Sequence, residues 1–386
     1  MTTTEPEVSG RVSVTTRNML WARSAGRCQY CNKPLIGDLF SANNRLIRAL
    51  VAHVVSAKPD GPRGDAVRSL QLVDDINNLM LLCYEHHRLI DVEDEAGHPE
   101  ALLLAMKAAH ETRIEIQTGL ADDRQTHIVT FGAPIGSIEA PLSYPSVRMT
   151  VLPERYPASG RAIHLEMKGC QYRDHEQTYW TIQKENLRRQ FRDRIAGRIE
   201  TGEIRHLSVF GLAPQPLLIE LGHLLCDISS ADVHQLMREP KGWGWVSDGD
   251  PIAFRTSSGS SGANVVALKL ALSATVTDDR IHRVLGPNVP IWSITAADPH
   301  NDIMRRAEDL HTWRRLLRRT FDQIKAGCER DAEIHVFPAL PVSAAIETGR
   351  VWMPKADLPL VIYDENRTHG GFLRTIDFGL SAPLAA

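Results

Sequence analysis

Two fold types in series are predicted for this chain: an α+β N-terminal domain built on a metal knuckle, followed by an α/β region of two Rossmann-like halves. The first prediction rests on spacing. Cys28 and Cys31 have the two-residue gap of a zinc knuckle, and Cys83 with His86 repeats it about fifty residues later, a Cys₃His set suited to a closed tetrahedral Zn²⁺. A lone CxxC is often only a turn; a second pair makes that reading harder to hold. The second prediction rests on the alternation of strand-like and helix-like runs beyond residue 127, the pattern of parallel sheets with crossover helices. The third observation is a repeat. Val209-Phe210, Pro214, Ile219-Glu220 and Gly222 recur as Val336-Phe337, Pro341, Ile346-Glu347 and Gly349 at one constant offset, six identities in all. Leu187-Arg188-Arg189-Gln190-Phe191 is echoed by Leu317-Arg318-Arg319-Thr320-Phe321 ahead of the second copy. Two echoes in the same order favour duplicated halves over chance matching of short strings.

In chain order, residues 14–25 carry helical spacing, with Leu20, Trp21 and Ala25 on one side, and lead into the knuckle. Residues 47–55 are apolar and β-branched and read as the strand that delivers His53. The turn-rich 58–64 loop (KPDGPRG) places Arg63 to reach a phosphate. Residues 99–117 restore a helical period through Leu102, Met106, Ala109 and Ile114, and 119–125 is a polar connector. The expected domains are therefore 1–120 and 127–386, the latter in halves of about 127–258 and 259–386. Each half reads strand, strand, helix, strand, a loop with the matched proline, and a helix. In the first half these are 162–167, 178–182, 184–200, 206–210 and 216–225. In the second they are 265–272, 291–294, 302–327, 333–337 and 342–349. Residues 256–263 (TSSGSSGA) are a flexible join or a mobile lid.

The composition is that of a soluble globular protein: 43% hydrophobic and 24% charged over 386 residues, enough for two or three domains. The polar N-terminus and the lack of any stretch near the ~20 apolar residues of a membrane span predict a cytoplasmic protein. Cys170, Cys226 and Cys328 show no pairing pattern, which suits a reducing compartment. A net charge of -3 does not advertise nucleic-acid binding, but residues 11–68 hold ten Lys and Arg against three Asp. That local excess could neutralise phosphates, or it could be a solvated face.

Beside the zinc set, His87 and Asp91 stand four apart, so on a helix they share a face and can converge on a second, catalytic metal. Asp91 is followed by acids at 93–95 and reads equally as part of a solvated acidic run. His53 alone reads as an interior histidine. Together with Asn78 and the zinc pairs, however, these residues resemble the HNH nucleases of the ββα-metal class. The resemblance implies that His53 is the general base, Asn78 the brace of the loop and His87 a metal ligand, with Asp91 where some members carry another. It also implies Mg²⁺ as the catalytic ion and double-stranded DNA as substrate. Ala52 departs from the family, which usually has Asp or His there, and leaves the metal shell one side chain short.

In open α/β sheets ligands sit beyond the carboxyl ends of the strands, so two halves should share one quasi-symmetric crevice. Its expected rim is 168–172, 211–214, Ser273-Ala274 and 338–341. Candidate contacts are Lys168, Tyr172, Trp180, Gly211, Pro214, Arg255, Ala339 and Pro341, with Trp243, Trp245, Trp352 and Tyr363 as further stackers for bases. This region resembles the SAVED domain, a fused pair of CARF-like Rossmann halves that senses cyclic oligonucleotides in the anti-phage systems called CBASS. The whole chain resembles an HNH-SAVED effector. That resemblance implies a cyclic di- or trinucleotide activator and a homo-oligomer, a dimer going to a tetramer or higher when the messenger binds. Two rivals stand beside it. One is a restriction-type HNH nuclease with a DNA-reading C-terminal region and no activator. The other is a non-catalytic zinc module in a ligand-controlled binding protein.

Overall fold

The structure is a computed structural model and describes residues 12–37, 48–120, 122–134, 142–167, 169–226, 230–246, 249–366 and 368–379. The chain divides into two compact units, Met1–Ala121 and Asp122–Ala386. No helix among the described residues is long and apolar enough to cross a membrane.

In the first unit, α1 (Val14–Ser24) starts at Ser13, whose hydroxyl accepts from Thr16 N, and ends where Ala25 and Gly26 take left-handed backbone angles. That reversal turns the chain into the Cys28–Cys31 knuckle. Strands β1 (Ala49–His53) and β2 (Leu79–Cys83) form an antiparallel ribbon with His53 opposite Leu79 and Ala49 opposite Cys83. All five β2 residues are buried, and Leu79 to Leu82 form the core with Leu20, Leu35 and Ile90. Helix α2 (Tyr84–Arg88) follows at once, and α3 (Glu100–Thr118) packs on α1. The buried positions of α3 are Leu103, Lys107 and His110 rather than the expected Leu102 face; His110 Nε2 donates to Ser24 O at 3.1 Å.

Among its described residues the second unit holds two main sheets and a two-stranded ribbon of Met237–Arg238 with Lys241–Gly242; a further two-residue strand, Tyr156–Pro157, pairs with the start of the first sheet's Gln125–Gly132 strand. The first sheet contains β3 (Gln125–Gly132), β4 (Ile163–Glu166), β5 (Leu207–Leu212) and β6 (Ala231–His234), all parallel in the order β4-β3-β5-β6. The second is framed by β7 (Phe254–Ser257), then β8 (Val265–Ala271), β9 (Ile291–Ala296), β10 (Glu333–Ala339), β11 (Leu360–Asn366) and β12 (Gly371–Phe378), in the order β7-β9-β8-β10-β11-β12. Its four inner strands are parallel, and the two edges are antiparallel. Numbered within each half, both parallel sets run 2-1-3-4, so the duplication seen in the repeat is also one of topology.

Helices α4 (Gln177–Phe191), α5 (Gln215–Leu225), α6 (Asp278–Leu285), α7 (Ala307–Gly327) and α8 (Val342–Val351) are its longer helices, beside four-residue helices at Tyr144–Val147 and Gly197–Glu200. The repeated Ile-Glu-x-Gly segments lie on α5 and α8, which pack against one another. At that crossing each glycine meets the other copy's matched isoleucine. A Cβ on Gly222 would lie 1.8 Å from Ile346 O, and one on Gly349 would lie 1.9 Å from Ile219 O. The repeat is therefore the seam itself, and only glycine lets the two backbones touch. Each matched glutamate is buried and paired. Glu220 takes Arg188 at 2.6 Å; Glu347 takes Arg350 at 2.7 Å and Arg314 at 3.2 Å. Arg318, the match of Arg188, turns instead to Asp357.

Three sequence expectations need correction. Residues 178–182 are helix, not strand: Tyr179, Trp180, Gln183 and Leu187 are buried at helical spacing on α4, and that stripe outweighs the aromatic and β-branched composition. The first strand of the first half is β3, which lies earlier than the run at 162–167. Residues 256–263 are not free throughout, because Thr256 and Ser257 belong to edge strand β7 and Gly262 N donates to Gly327 O at 2.8 Å.

Candidate functional site

In the first unit, Cys28, Cys31, Cys83 and His86 bring one donor atom each into a set whose members all lie within 4.8 Å of one another. Cys31 Sγ and Cys83 Sγ are 4.0 Å apart, close to the ~3.8 Å edge that Zn–S bonds of ~2.3 Å give a tetrahedron. His86 faces the set through Nδ1, 2.9 Å from Cys83 Sγ. Burial pushes the Cys83 thiol up to about 12 and raises Cys31, while burial lowers His86. Such a crowd of half-buried thiols is relieved by a cation, and the donor set fits one tetrahedral ion. Its supports are close by. Tyr30 stacks on His86 with centroids 4.2 Å apart, and its hydroxyl meets His98 Nε2 at 3.2 Å. Gln29 pairs with both backbone groups of Leu81, tying the knuckle to β2.

His53 ends β1 with its imidazole part-exposed, and its Nε2–H donates to Val73 O at 3.0 Å. That bond leaves the lone pair on Nδ1. Asn78 is 5% exposed and fully engaged: Nδ2 donates to Val55 O and Leu72 O, and Oδ1 accepts from Val55 N. It thus clamps the chain just beyond His53. Ala52 faces the other side of the strand and is buried in the apolar core, so position 52 lies away from the imidazole face. Helix α2 packs against β1 and carries His87. After it, residues Leu89–Glu93 make a π-turn that holds Asp91, whose Oδ2 is 3.7 Å from His87 Nε2. Arg63, expected to reach a phosphate, turns inward instead and bonds Asp91 Oδ1 at 2.5 Å.

In the second unit, a cleft of about 330 Å³ opens where the sequence placed the crevice, at the carboxyl ends of the strands. Its wall includes Leu212 to Gln215 from one half and Ser273, Leu340, Pro341 and Val342 from the other. Pro214 and Pro341, matched in the repeat, are the N-caps of α5 and α8. Neither proline has a side chain that can cap, and the N-termini of both helices face one cleft. Two glutamines bridge the halves there. Gln215 Oε1 accepts from Leu340 N at 3.0 Å, and Gln235 Oε1 accepts from Ser343 N and Oγ at 3.1 and 2.8 Å.

Three acids, Asp174, Asp364 and Glu365, and one base, Arg238, also line the cleft. Burial, with the charges of Asp174 and Glu365, pushes the Asp364 carboxyl from 3.8 up to about 7. The folded state holds that proton more tightly than the unfolded chain, so this group costs stability as pH rises between the two values. Asp364→Asn is expected to raise stability by about 1 kcal/mol or more at pH 8 and to change it little at pH 4. Thermal unfolding at the two pH values checks this, and a larger gain at pH 4 would contradict it.

Other expected contacts lie elsewhere. Tyr172 is exposed and lines an adjoining cavity of about 340 Å³ that shares Asp174 with the cleft. Trp180 is 0% exposed and donates Nε1–H to Asp174 O; it is core. A Cβ on Gly211 would lie 2.9 Å from Ile346 and Leu218 side chains, so this glycine serves packing. Arg255 lies on the exposed edge strand β7, outside the cleft lining. Ala339 ends β10, and its carbonyl accepts from Leu272 N and Ser273 N, which fixes the rim. Trp243, Trp352 and Tyr363 are buried, and Trp245 lines a different cleft. Lys168 lies outside the described residues. Sequence reasoning missed Gln215, Gln235, Asp174 and Asp364, because no periodicity or motif marks an isolated polar residue at a helix start, in a strand or in a loop.

Residues 187–378 match the family model described as the SMODS-associated and fused to various effectors sensor domain, SAVED. The second unit therefore carries a SAVED domain. Among solved structures, the chain is similar to the Acinetobacter baumannii Cap4 SAVED/CARF-domain containing receptor with the cyclic trinucleotide 2'3'3'-cAAA, at 12% identity and a TM-score of 0.44, covering 72% of this chain and 56% of that one. It is also similar to the Moraxella osloensis Cap4 SAVED/CARF-domain containing receptor, at 11% identity and a TM-score of 0.41, covering 81% and 60%. The chain spans little more than half the length of these receptors. No curated protein matches the sequence.

Proposed function

We propose that this protein is a second-messenger-controlled DNA endonuclease, in which a cyclic oligonucleotide bound by the SAVED unit switches on phosphodiester hydrolysis by an HNH-like first unit. The observation that carries the nuclease reading is the presentation of His53. Its Nε2–H is committed to a backbone carbonyl, Asn78 clamps the following residues, and Nδ1 is left to take a proton from water. His87 and Asp91, on the helix and π-turn that follow β2, form a pair able to hold a divalent ion such as Mg²⁺, which when bound would stabilise charge on the phosphate and the departing oxygen. The exposed Arg17, Arg23, Lys33 and Lys58 supply cations for the DNA backbone. In the sensor, the two helix N-termini suit messenger phosphates, and the acids of the cleft lining suit the donor edges of bases.

The Cys₃His set is read as a structural zinc site. A unit whose core is this small depends on the ion, because metal binding and folding are one event in such domains. Chelation of zinc, or Cys83→Ser, is expected to unfold the first unit and abolish cleavage while the SAVED unit keeps its own unfolding transition. Calorimetry with zinc analysis distinguishes this from a loss of one common transition, which would contradict a separately folded unit.

The function is tested by incubating purified protein and Mg²⁺ with plasmid while adding cyclic di- and trinucleotides one at a time. Degradation that depends on one of them is expected, with assembly measured in parallel by light scattering. Cutting with no activator favours a restriction-type enzyme. No cutting with any messenger or metal favours a non-catalytic binding protein.

A further inference from the structure

The loop at residues 58–64 is wound more tightly than a surface connection requires. Gly61 N donates to Lys58 O, Gly64 N donates to Gly61 O, and Ser56 N donates to Pro62 O. A Cβ on Gly64 would stand 2.4 Å from Pro59 O, and Arg63 itself takes the left-handed backbone at φ 53. Arginine gains nothing locally from that conformation, which is costly for a residue with a Cβ. What the loop achieves is the burial of one guanidinium. The Arg63 side chain is 8% exposed, and each of its nitrogens finds an acceptor, one just beyond β1 and two in the π-turn. Nε donates to Val54 O at 2.7 Å, directly after His53. Nη1 donates to Ile90 O at 2.7 Å, inside the π-turn, and Nη2 donates to Asp91 Oδ1 at 2.5 Å. Glu95 Oε1 accepts from Arg63 N at 2.8 Å and anchors the loop from the far side.

We propose that Arg63 is a positioning residue for the nuclease centre, holding the end of the His53 strand, the π-turn and the Asp91 carboxylate in one fixed arrangement. The inference rests on the nuclease reading above. The guanidinium fork suits this role, because its planar set of donors can bind two carbonyls and a carboxylate in fixed directions, whereas a lysine ammonium has no such geometry. By occupying Asp91 Oδ1, Arg63 leaves Oδ2 as the oxygen turned to His87. Three of its five N–H donors are spent inside the unit and the side chain is 8% exposed, so it is turned away from a DNA phosphate.

The test compares the zinc-loaded full chain with Arg63→Met and Arg63→Lys. Mn²⁺ affinity is measured by titration in an electron paramagnetic resonance spectrometer without DNA, and plasmid cleavage is measured with messenger over a range of Mg²⁺. Arg63→Met is expected to keep its zinc, to bind Mn²⁺ about 10–100-fold more weakly and to lose kcat by a similar factor, with KM for plasmid unchanged. Arg63→Lys should recover only part of the loss. Wild-type Mn²⁺ affinity and kcat in Arg63→Met would overturn the proposal, as would a change confined to KM, which marks a phosphate contact. If Arg63→Met loses zinc, the lysine variant decides by the same two measurements. A wild-type chain that binds Mn²⁺ but never cuts removes the nuclease reading and leaves the Mn²⁺ comparison to judge Arg63 alone.

Discussion

His53→Ala is expected to lower messenger-dependent plasmid cleavage by about 10²–10⁴-fold, the usual contribution of a positioned general base, while zinc content and messenger binding stay at wild-type levels. The fold should tolerate the change. The imidazole is part-exposed and bonds Val73 O, and loss of a single such bond costs about 1 kcal/mol. The neighbouring Asn78→Ala offers a useful contrast, since it strips three hydrogen bonds from a buried side chain and should lower thermal stability together with activity. A His53→Ala protein that cuts at the wild-type rate would remove this residue from the chemistry and shift attention to His87.

The largest effect on stability is expected at the seam of the SAVED unit. Gly222→Ala places a methyl carbon 1.8 Å from Ile346 O, and Gly349→Ala places one 1.9 Å from Ile219 O and 2.6 Å from His223 N. These are backbone atoms of helices that are themselves buried, so relief requires the helices to separate. Either variant should lose about 3 kcal/mol or more, which lowers the melting temperature of the unit by about 6–12 °C. Messenger binding should fail with it, because the first turns of α5 and α8 also line the cleft. Gly197→Ala is the control: it lies in a helix with nothing within 4 Å of its Cβ, and it should gain about 0.5–1 kcal/mol from helix propensity. A seam variant that melts like wild type would mean that the two halves do not meet at these glycines.

The two predictions differ in how far the sequence anticipated them. His53 and Asn78 could be singled out from their spacing to the zinc pairs, and the pairing of β1 with β2 then brings their neighbourhoods together. Gly222 and Gly349 were visible as repeated letters with no stated job. Their job depends on which face of α5 meets α8, and a one-dimensional repeat does not contain that. Arg63 was misread for a related reason: a turn-rich loop with an arginine reads as a solvent-facing phosphate ligand, and only the positive φ and the carbonyls of Val54 and Ile90 turn the side chain inward. Trp180 was misplaced because aromatic and β-branched residues suit strands and helices alike until burial at every third and fourth position decides.

Local chemistry was therefore determined by the sequence alone: which cysteines and histidine can share an ion, which histidine and asparagine flank the ribbon, and that the second region is doubled. Paired ligands and repeated strings are marked by their spacing, and spacing is written in the letters. The tertiary structure alone decided which polar groups face the cleft, where the halves touch and what Arg63 holds. Those outcomes depend on the directions of side chains brought together from 9 to more than 100 residues apart, and direction is set only when the backbone has packed.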